Sequence, residues 1–376
     1  MFKRTSVSLV ILCSLMMALQ VQSANAALFS KLFEGPPKRV EVTEGSDKAA
    51  NFKDAFTPEG MFAKAPAKVD SGTKKVVIAG FQLEYSTEQK GVSEGGGAAA
   101  GLASTTEKVY TLKGVSDAQF QSLTDKAYAA FVVSLQKQGY EVLSPKLLLD
   151  TGYKEKFAKV NQPPVHHERG VASEILFGSL SHIGEDKDEK GQMDNASVIA
   201  TAKDTSPDVY SKFMAAFGSG FKAADTLQAN IIQLRMKVNF AKFEDSGAWL
   251  YASVDDKPQN GIGMKGTGMQ VFAPGGKAAM YSLAKTIVLP SRLAEKVTPV
   301  SSTAAQTTER AASGTMRALA GLATGDLAAI AGGATGAAHS TMASDNFELA
   351  VTANYEDVMI KDLGLVLNMI TEAFPK

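Results

Sequence analysis

Two short strings in this chain carry residue types that do chemistry, and a third stretch carries a spacing that lets helices meet. Gly261-Ile262-Gly263-Met264-Lys265-Gly266 has the glycine spacing of a dinucleotide-binding turn. That chemistry needs a strand before the glycines and a helix after them, so that a pyrophosphate rests on the helix N-terminus. Here Pro258-Gln259-Asn260 precedes and the strand-like Met269-Gln270-Val271-Phe272 follows. The reading is a glycine-rich hairpin connection, and no cofactor is assigned. His166-His167-Glu168 is the one histidine cluster, with His182 and His339 distant in sequence. Adjacent side chains point apart on any regular element, so a metal site would need the fold to gather these groups with a carboxylate. A solvated loop is the reading. The acidic pairs Asp255-Asp256 and Glu185-Asp186 sit in turn-like, charged surroundings with no local base or nucleophile. No catalytic, cofactor-binding or metal-binding residue is assigned.

Gly321, Gly325, Gly332 and Gly336 fall close to one face if that stretch is helical. A small-x-x-x-small pattern permits close helix approach, which makes these four a candidate self-association face. Asp326 lies among them and opposes burial in lipid, while each glycine weakens a helix in water by about 1 kcal/mol. A flexible loop, a helix on its own domain and a membrane-inserted segment all stay open.

The ends and the composition narrow the class. Lys3 and Arg4, the apolar run of residues 7–19 and Ala24-Asn25-Ala26 have the order of a signal peptide over residues 1–26. The single cysteine, Cys13, falls inside that run behind Ile11 and Leu12, not behind the small residues of a lipidation site. The mature chain is therefore expected to lack disulfides and thiolate sites. Basic and acidic residues balance at 39 each with no basic block, which gives no electrostatic case for nucleic acid. With 45% apolar residues the chain can build a substantial core.

The elements follow from periodicity. Residues 27–75, with Gly35-Pro36-Pro37 and scattered apolar residues, read as a flexible arm or linker. Residues 76–376 read as one α+β domain with low-complexity Gly/Ala-rich insertions at 86–108 and 290–344. Residues 76–85 start as a continuous apolar run and then alternate, as a strand. Ser116 and Gln119 form a capping-box pattern ahead of Phe120, Leu123, Ala127, Phe131 and Leu135, and Gly139 stops that helix. Residues 140–143 and 175–180 read as strands, and residues 145–160 and 207–224 as helices. Ile232, Leu234, Met236, Val238 and Phe240 alternate with Gln233, Arg235, Lys237 and Asn239, which predicts one core face and one wet face. The turn composition of residues 244–247 then suggests a long hairpin over residues 229–254. Residues 347–353 read as a strand and 355–374 as a helix with an apolar stripe. The fold class is α+β: a mixed, largely antiparallel sheet with helices packed on one face, interrupted by the two insertions.

Strand 76–85, the capped helix, Gly139-Tyr140-Glu141-Val142-Leu143, Ile175-Leu176-Phe177-Gly178-Ser179-Leu180 and the alternating strand ending in Glu244-Asp245-Ser246-Gly247 together resemble a known pattern. It is the periplasmic α/β domain shared by the curli secretion channel, the amino-terminal domain of the Tol translocation protein and outer-membrane lipoprotein cofactors. The chain departs from that family by lacking a lipidated cysteine and by its Gly/Ala insertions. The resemblance implies a non-enzymatic assembly role. The function expected is that of an exported envelope protein of the periplasm or outer membrane, or a secreted one, acting by contact with protein partners, itself included, and with the membrane periphery. The alternatives are an oligomeric membrane-inserting or pore-forming component, and a small-molecule or metal-dependent periplasmic enzyme.

Overall fold

The structure, a computed structural model, describes residues 39–41, 52–58, 72–95, 104–151, 153, 160–168, 192–207, 213–245, 254–257, 260–291, 294–303 and 341–374. In chain order the elements are β1 (Arg39–Glu41), the single turn α1 (Phe52–Ala55), β2 (Phe56–Pro58), β3 (Lys75–Gly95) and β4 (Ser104–Lys113). Helix α2 (Asp117–Lys137), β5 (Glu141–Leu143), a 3-10 turn (Pro145–Thr151), β6 (Val165–Glu168) and β7 (Gln192–Thr201) follow. Then come α3 (Phe213–Leu227), β8 (Asn230–Asn239), β9 (Lys242–Asp245), β10 (Val254–Lys257), β11 (Gly261–Ala273), β12 (Lys277–Leu283) and β13 (Thr286–Val288). Strands β14 (Ala294–Thr303) and β15 (Thr341–Val351) lead to α4 (Tyr355–Thr371).

Thirteen strands form one sheet whose main path runs β1-β13-β11-β8-β3-β4-β15-β14. The pairings are mostly antiparallel, with parallel ones at β1–β13, β4–β15, β3–β5 and β3–β8. The α+β class with a mixed, largely antiparallel sheet is what the alternation predicted. All described residues belong to one compact unit, residues 38–376.

Helix α2 begins where the sequence says it should. Ser116 Oγ accepts from the Gln119 N–H, and the Gln119 side chain accepts from the Ser116 N–H, so two orphan donors of the first turn are satisfied. Gly139, at φ +84°, supplies the left-handed residue that ends it. The buried stripe Phe120, Leu123, Ala127, Phe131 and Leu135 faces the sheet, beside Met359, Leu363, Val366, Leu367 and Ile370 of α4. The two helices are tied at their polar seam by Lys126 to Glu356 (2.7 Å), Ser134 to Asn368 (2.6 Å) and Gln138 to Thr371 (2.7 Å).

The expectation of helices on one face describes α2 and α4. A third helix lies on the other: Ala223 and Ala224 of α3 pack with Val77, Ala79, Ile231 and Phe272, the strand residues that point away from α2. Gly220 lets α3 sit that close, since a Cβ there would stand 2.6 Å from the Phe272 ring.

Four expectations are overturned. The long hairpin over residues 229–254 is not formed. β8 is a central strand between β3 and β11, and the turn signal serves the separate two-stranded β9–β10 pair. The residues described within 27–75 are not a loose arm: β1 pairs β13, β2 pairs β12, and Phe52, Ala55 and Phe56 are buried in the core. The segments 86–108 and 290–344 hold strands: β3 runs on to Gly95, pairing β4, and β4 carries β15 and then β14. Their Gly, Ala, Ser and Thr content lacks a two-residue period, but a β-ladder is made of backbone groups and tolerates that. The helix expected over residues 145–160 is a 3-10 turn, Pro145–Thr151, and the strand expected at 175–180 lies outside the described residues.

Asp362 of α4 fixes the entry to the β14 segment. Its carboxylate accepts from the Ser291 N–H (3.2 Å) and hydroxyl (2.9 Å) while its residue is buried. Burial raises the carboxyl above its ordinary 3.8, against the lowering effect of the Ser291 hydrogen bonds. A raised acid favours the fold below its unfolded value and loses that contribution as pH rises through the folded value. Asp362→Asn is therefore expected to be within about 1 kcal/mol of the parent at pH 7 and to fall behind it toward pH 3, as read by urea unfolding at both pH values. A difference that widened in the opposite direction would refute the burial account.

Candidate functional site

On β3, Phe81, Leu83 and Tyr85 turn into the α2–α4 core, so Gln82, Glu84 and Ser86 turn to the opposite face. On β8 the same alternation puts Ile232, Leu234, Met236 and Val238 into that core and Gln233, Arg235, Lys237 and Asn239 opposite. The two strands are parallel neighbours with Gln82 beside Arg235 and Glu84 beside Lys237. The predicted wet face is therefore a buried polar face. Its burial is tolerable because most of its groups find partners across strands.

Glu84 is the hub. The Arg235 guanidinium donates to Glu84 Oε2 at 2.5 Å, Ser197 Oγ of β7 donates to Oε1 at 3.0 Å, and Lys237 Nζ stands 4.0 Å from Oε1. The Glu84 and Lys237 side chains are only 13% and 6% exposed. Burial pushes the Glu84 carboxyl up, but the charges of Lys237 and Arg235 and the hydrogen bonds from Arg235 and Ser197 outweigh it and hold it below its ordinary 4.5. Such a carboxylate stays ionised at neutral pH and is a poor proton shuttle. Either side of it, Ser86 Oγ donates to Asn239 Oδ1 (3.0 Å), and Gln82 Nε2 donates to Thr201 Oγ1 (3.1 Å) and the Pro207 carbonyl (2.6 Å). Gln89 Oε1 accepts the N–H groups of Phe240 and Ala241, both at 2.9 Å, where the chain leaves β8 for β9.

The glycine string lies beside this face, as the start of β11 and not as a hairpin connection. Gly261 and Gly263 pair Asn239 and Lys237, then the register shifts before Gly268 pairs Arg235. The glycines serve close approach: a Cβ on Gly261 would lie 2.9 Å from the Ile287 carbonyl, and one on Gly263 would lie 2.8 Å from Asn239 Nδ2. Gly266, at φ +83°, turns the bulge, and Thr267 Oγ1 accepts the Lys237 N–H at 2.9 Å. A strand, not a helix, follows, so no phosphate cradle is built here.

His166 and His167 sit on β6, which among the described residues pairs only with β7, and not on a loop. His166 Nε2 lies 3.0 Å from both carboxylate oxygens of Asp117 at the start of α2, and His167 is exposed. Asp255 and Asp256 are in β10. Gly321, Gly325, Gly332 and Gly336, like His182, His339, Glu185 and Asp186, lie outside the described residues. Among the described residues no group of three His, Cys, Asp or Glu is placed to hold a metal ion. The structure instead brings together Glu84, Arg235, Lys237 and Ser197, which the sequence reading did not single out. The signal was present: an acid within an apolar strand and two cations on the alternate positions of another.

Two further features lie away from this face. A cleft of about 560 Å³ lies where α2 and α4 begin, lined by Lys113, Gly114, Gln119, Val351, Thr352 and Tyr355. At the far end of the sheet path, β14 pairs only with β15 among the described residues, so its other side presents backbone donors and acceptors over ten residues. Among the described residues no helix is long and apolar enough to cross a membrane. No protein-family model, curated protein or solved structure matches this chain.

Proposed function

We propose that this chain is an exported, non-enzymatic protein of the bacterial envelope that works by strand pairing with other protein chains, a second copy of itself first among them. The observation that carries the reading is the open edge of β14. A ten-residue strand whose outer edge has no partner among the described residues is a template for another strand, and natural sheets keep such edges short or covered unless they are used. The strands β4, β15 and β14 follow β3 in one block, and β14 at its end carries Lys296, Thr298, Ser301 and Ser302 among its ten residues. The leader-like residues 1–26 and the resemblance to periplasmic assembly domains support an envelope location. The hub at Glu84 supports the same class, since a carboxylate held ionised by two cations is suited to fastening strands.

The test uses the lack of cysteine outside Cys13. Thr298→Cys and Val297→Cys, made singly in the chain from residue 27 onward, place one thiol on each face of β14. One of them is expected to give a covalent dimer in high yield under mild oxidation. Ala129→Cys, at an exposed position on α2, should stay monomeric. Light scattering of the unmodified chain should return a multiple of one chain's mass. A single-chain mass, together with no cross-link at either β14 position, would overturn self-pairing through this edge.

A further inference from the structure

Beyond the strand edge, four connections of the chain fall at one end of the sheet. Gly95 of β3 pairs Ser104 of β4, Ser104 pairs Thr341 of β15, and Ser344 of β15 pairs Thr303 of β14. The chain therefore leaves and re-enters the sheet at this end through residues 96–103 and 304–340. β7 opens here too, since Gln192 pairs Gly91, so residues 169–191 return from β6 to the same end. The β9–β10 pair lies beside β3 and β4. β4 runs only along the outer part of β3, so residues 246–253, which join Asp245 to its partner Val254, belong to this end as well. The four segments lie outside the described residues, but the strand ends that bracket them are set by pairing.

The sequence of these segments differs from that of the strands they join. Residues 96–103 and 246–253 carry no charge, and the second holds Trp249, Leu250 and Tyr251 in a row. Residues 311–338 carry only Arg317 and Asp326 as charges, among Leu319, Leu322, Leu327 and Ile330. Residues 171–183 carry only Glu174 as a formal charge, beside Ile175-Leu176-Phe177. The strand ends below are charged, with Glu94 on β3, Glu107 and Lys108 on β4 and Asp345 on β15. Uncharged, apolar connections gathered at one end above a charged belt mark a contact surface. We propose that this end of the sheet seats on a lipid bilayer, with the four connections as the contact and the charged strand ends at the level of the headgroups. A bilayer asks for apolar area and interfacial aromatic rings and not for a shaped partner surface, which is what small residues with spaced leucines and a Trp-Leu-Tyr run supply. Four contacts on one sheet act together, so each can be weak while the whole holds.

The test is flotation of the chain from residue 27 onward with vesicles of phosphatidylethanolamine and a minority of phosphatidylglycerol. The chain is expected to rise with the lipid at high salt as at low salt, because apolar area and not surface charge holds it. Trp249 is the chain's only tryptophan, so its fluorescence reads one connection directly. Its emission should move to shorter wavelength when vesicles are added, and lipids brominated on their acyl chains should quench it. Leu250→Glu and, in a different connection, Leu102→Glu should each weaken partitioning by roughly tenfold, the worth of one buried leucine. Leu147→Glu is the control. Leu147 is 41% exposed on the 3-10 turn after β5, which pairs the first residues of β3 at the opposite end, and its variant should float like the parent. No flotation with no change in emission would overturn the proposal. An equal loss in Leu147→Glu would do the same, as would an emission that follows protein concentration and ignores lipid, which would make this end a protein interface. Circular dichroism checks the fold of each variant, and if one connection variant fails to fold, the other and the quenching of the parent decide. Failure here leaves the β14 cross-link untouched, because the two tests read different residues.

Discussion

Glu84→Gln is expected to destabilise the fold by about 3–5 kcal/mol at pH 7, the cost of taking its anion from the part-buried Arg235 guanidinium. The substitution keeps the shape of the side chain and one acceptor oxygen, so Ser197 can still be satisfied. What is lost is the charge that compensates Arg235 at 2.5 Å and Lys237 at 4.0 Å. An exposed pair would contribute at most about 1 kcal/mol, because water and salt screen it. The 13% exposure of the Glu84 side chain places this pair in the other regime. The pH dependence gives a second reading of the same prediction. Because the folded carboxyl titrates below its ordinary 4.5, its contribution is complete above that value and is lost as pH falls through the lower folded one. The gap between parent and variant in urea midpoints should therefore narrow on acidification from pH 7 to pH 3. A gap that stayed constant would mean that shape, and not charge, holds the strands here. Replacing the whole group with apolar residues of matching volume is a different experiment. Removing Glu84, Arg235 and Lys237 together need not destabilise at all, since the desolvation cost leaves with the charges.

What could be read in advance tracks how local the cause is. The capping box at Ser116 and Gln119, the stop at Gly139 and the apolar stripe of α4 act within a few residues, and all are present. The alternation of β8 is local too, and its core face was assigned correctly. Its second face was not, because alternation with polar residues looks the same whether they meet water or partners from another strand. The partners that bury Arg235 and Asn239 are Glu84 and Ser86, about 150 residues earlier, and nothing in the neighbourhood of β8 announces them. The same distance hid the role of residues 244–247. A turn signal says that the chain reverses, but the choice of strands it joins depends on ladders that close elsewhere. In β4, β15 and β14 the runs of Ser, Thr and charged residues blur the face signal. Register there rests on the backbone ladder and on a few side chains, Tyr110 stacked on Phe347 and Leu349 in the core, with Pro299 placed at a register shift of β14, where a missing N–H costs least. The candidate site was hidden for a related reason: Glu84, Ser197, Arg235 and Lys237 are ordinary one by one and meet only through the pairing of β3 with β7 and β8.

Phe52→Ala should cost about 3–5 kcal/mol and detach the segment around it, an effect that no loose arm would give. Phe52 is 3% exposed, stacks on Phe56 at 4.8 Å between ring centroids, and meets Tyr281 of β12 edge-on at 5.1 Å. Its backbone N–H donates to Glu372 Oε2 (3.1 Å), just beyond α4, and the Ala284 N–H donates to the Ala55 carbonyl (2.7 Å). The segment thus bridges the β12 edge and the end of the chain, regions that share no other described strand. Burial lifts the Tyr281 hydroxyl to about 12, which makes its titration a reporter of this contact. In the variant the ring opens to solvent, and its ultraviolet titration should move down toward the ordinary 10 while the other buried tyrosines hold theirs. Amide exchange should rise in residues 52–58 and in β12, which loses β2 as a neighbour, and should stay slow in α2 and α4. Uniform acceleration across the sheet would instead mean that the whole domain melts as one unit and that the segment is part of the folding core. A melting temperature and an exchange pattern both unchanged would return residues 52–58 to the status of a dispensable arm.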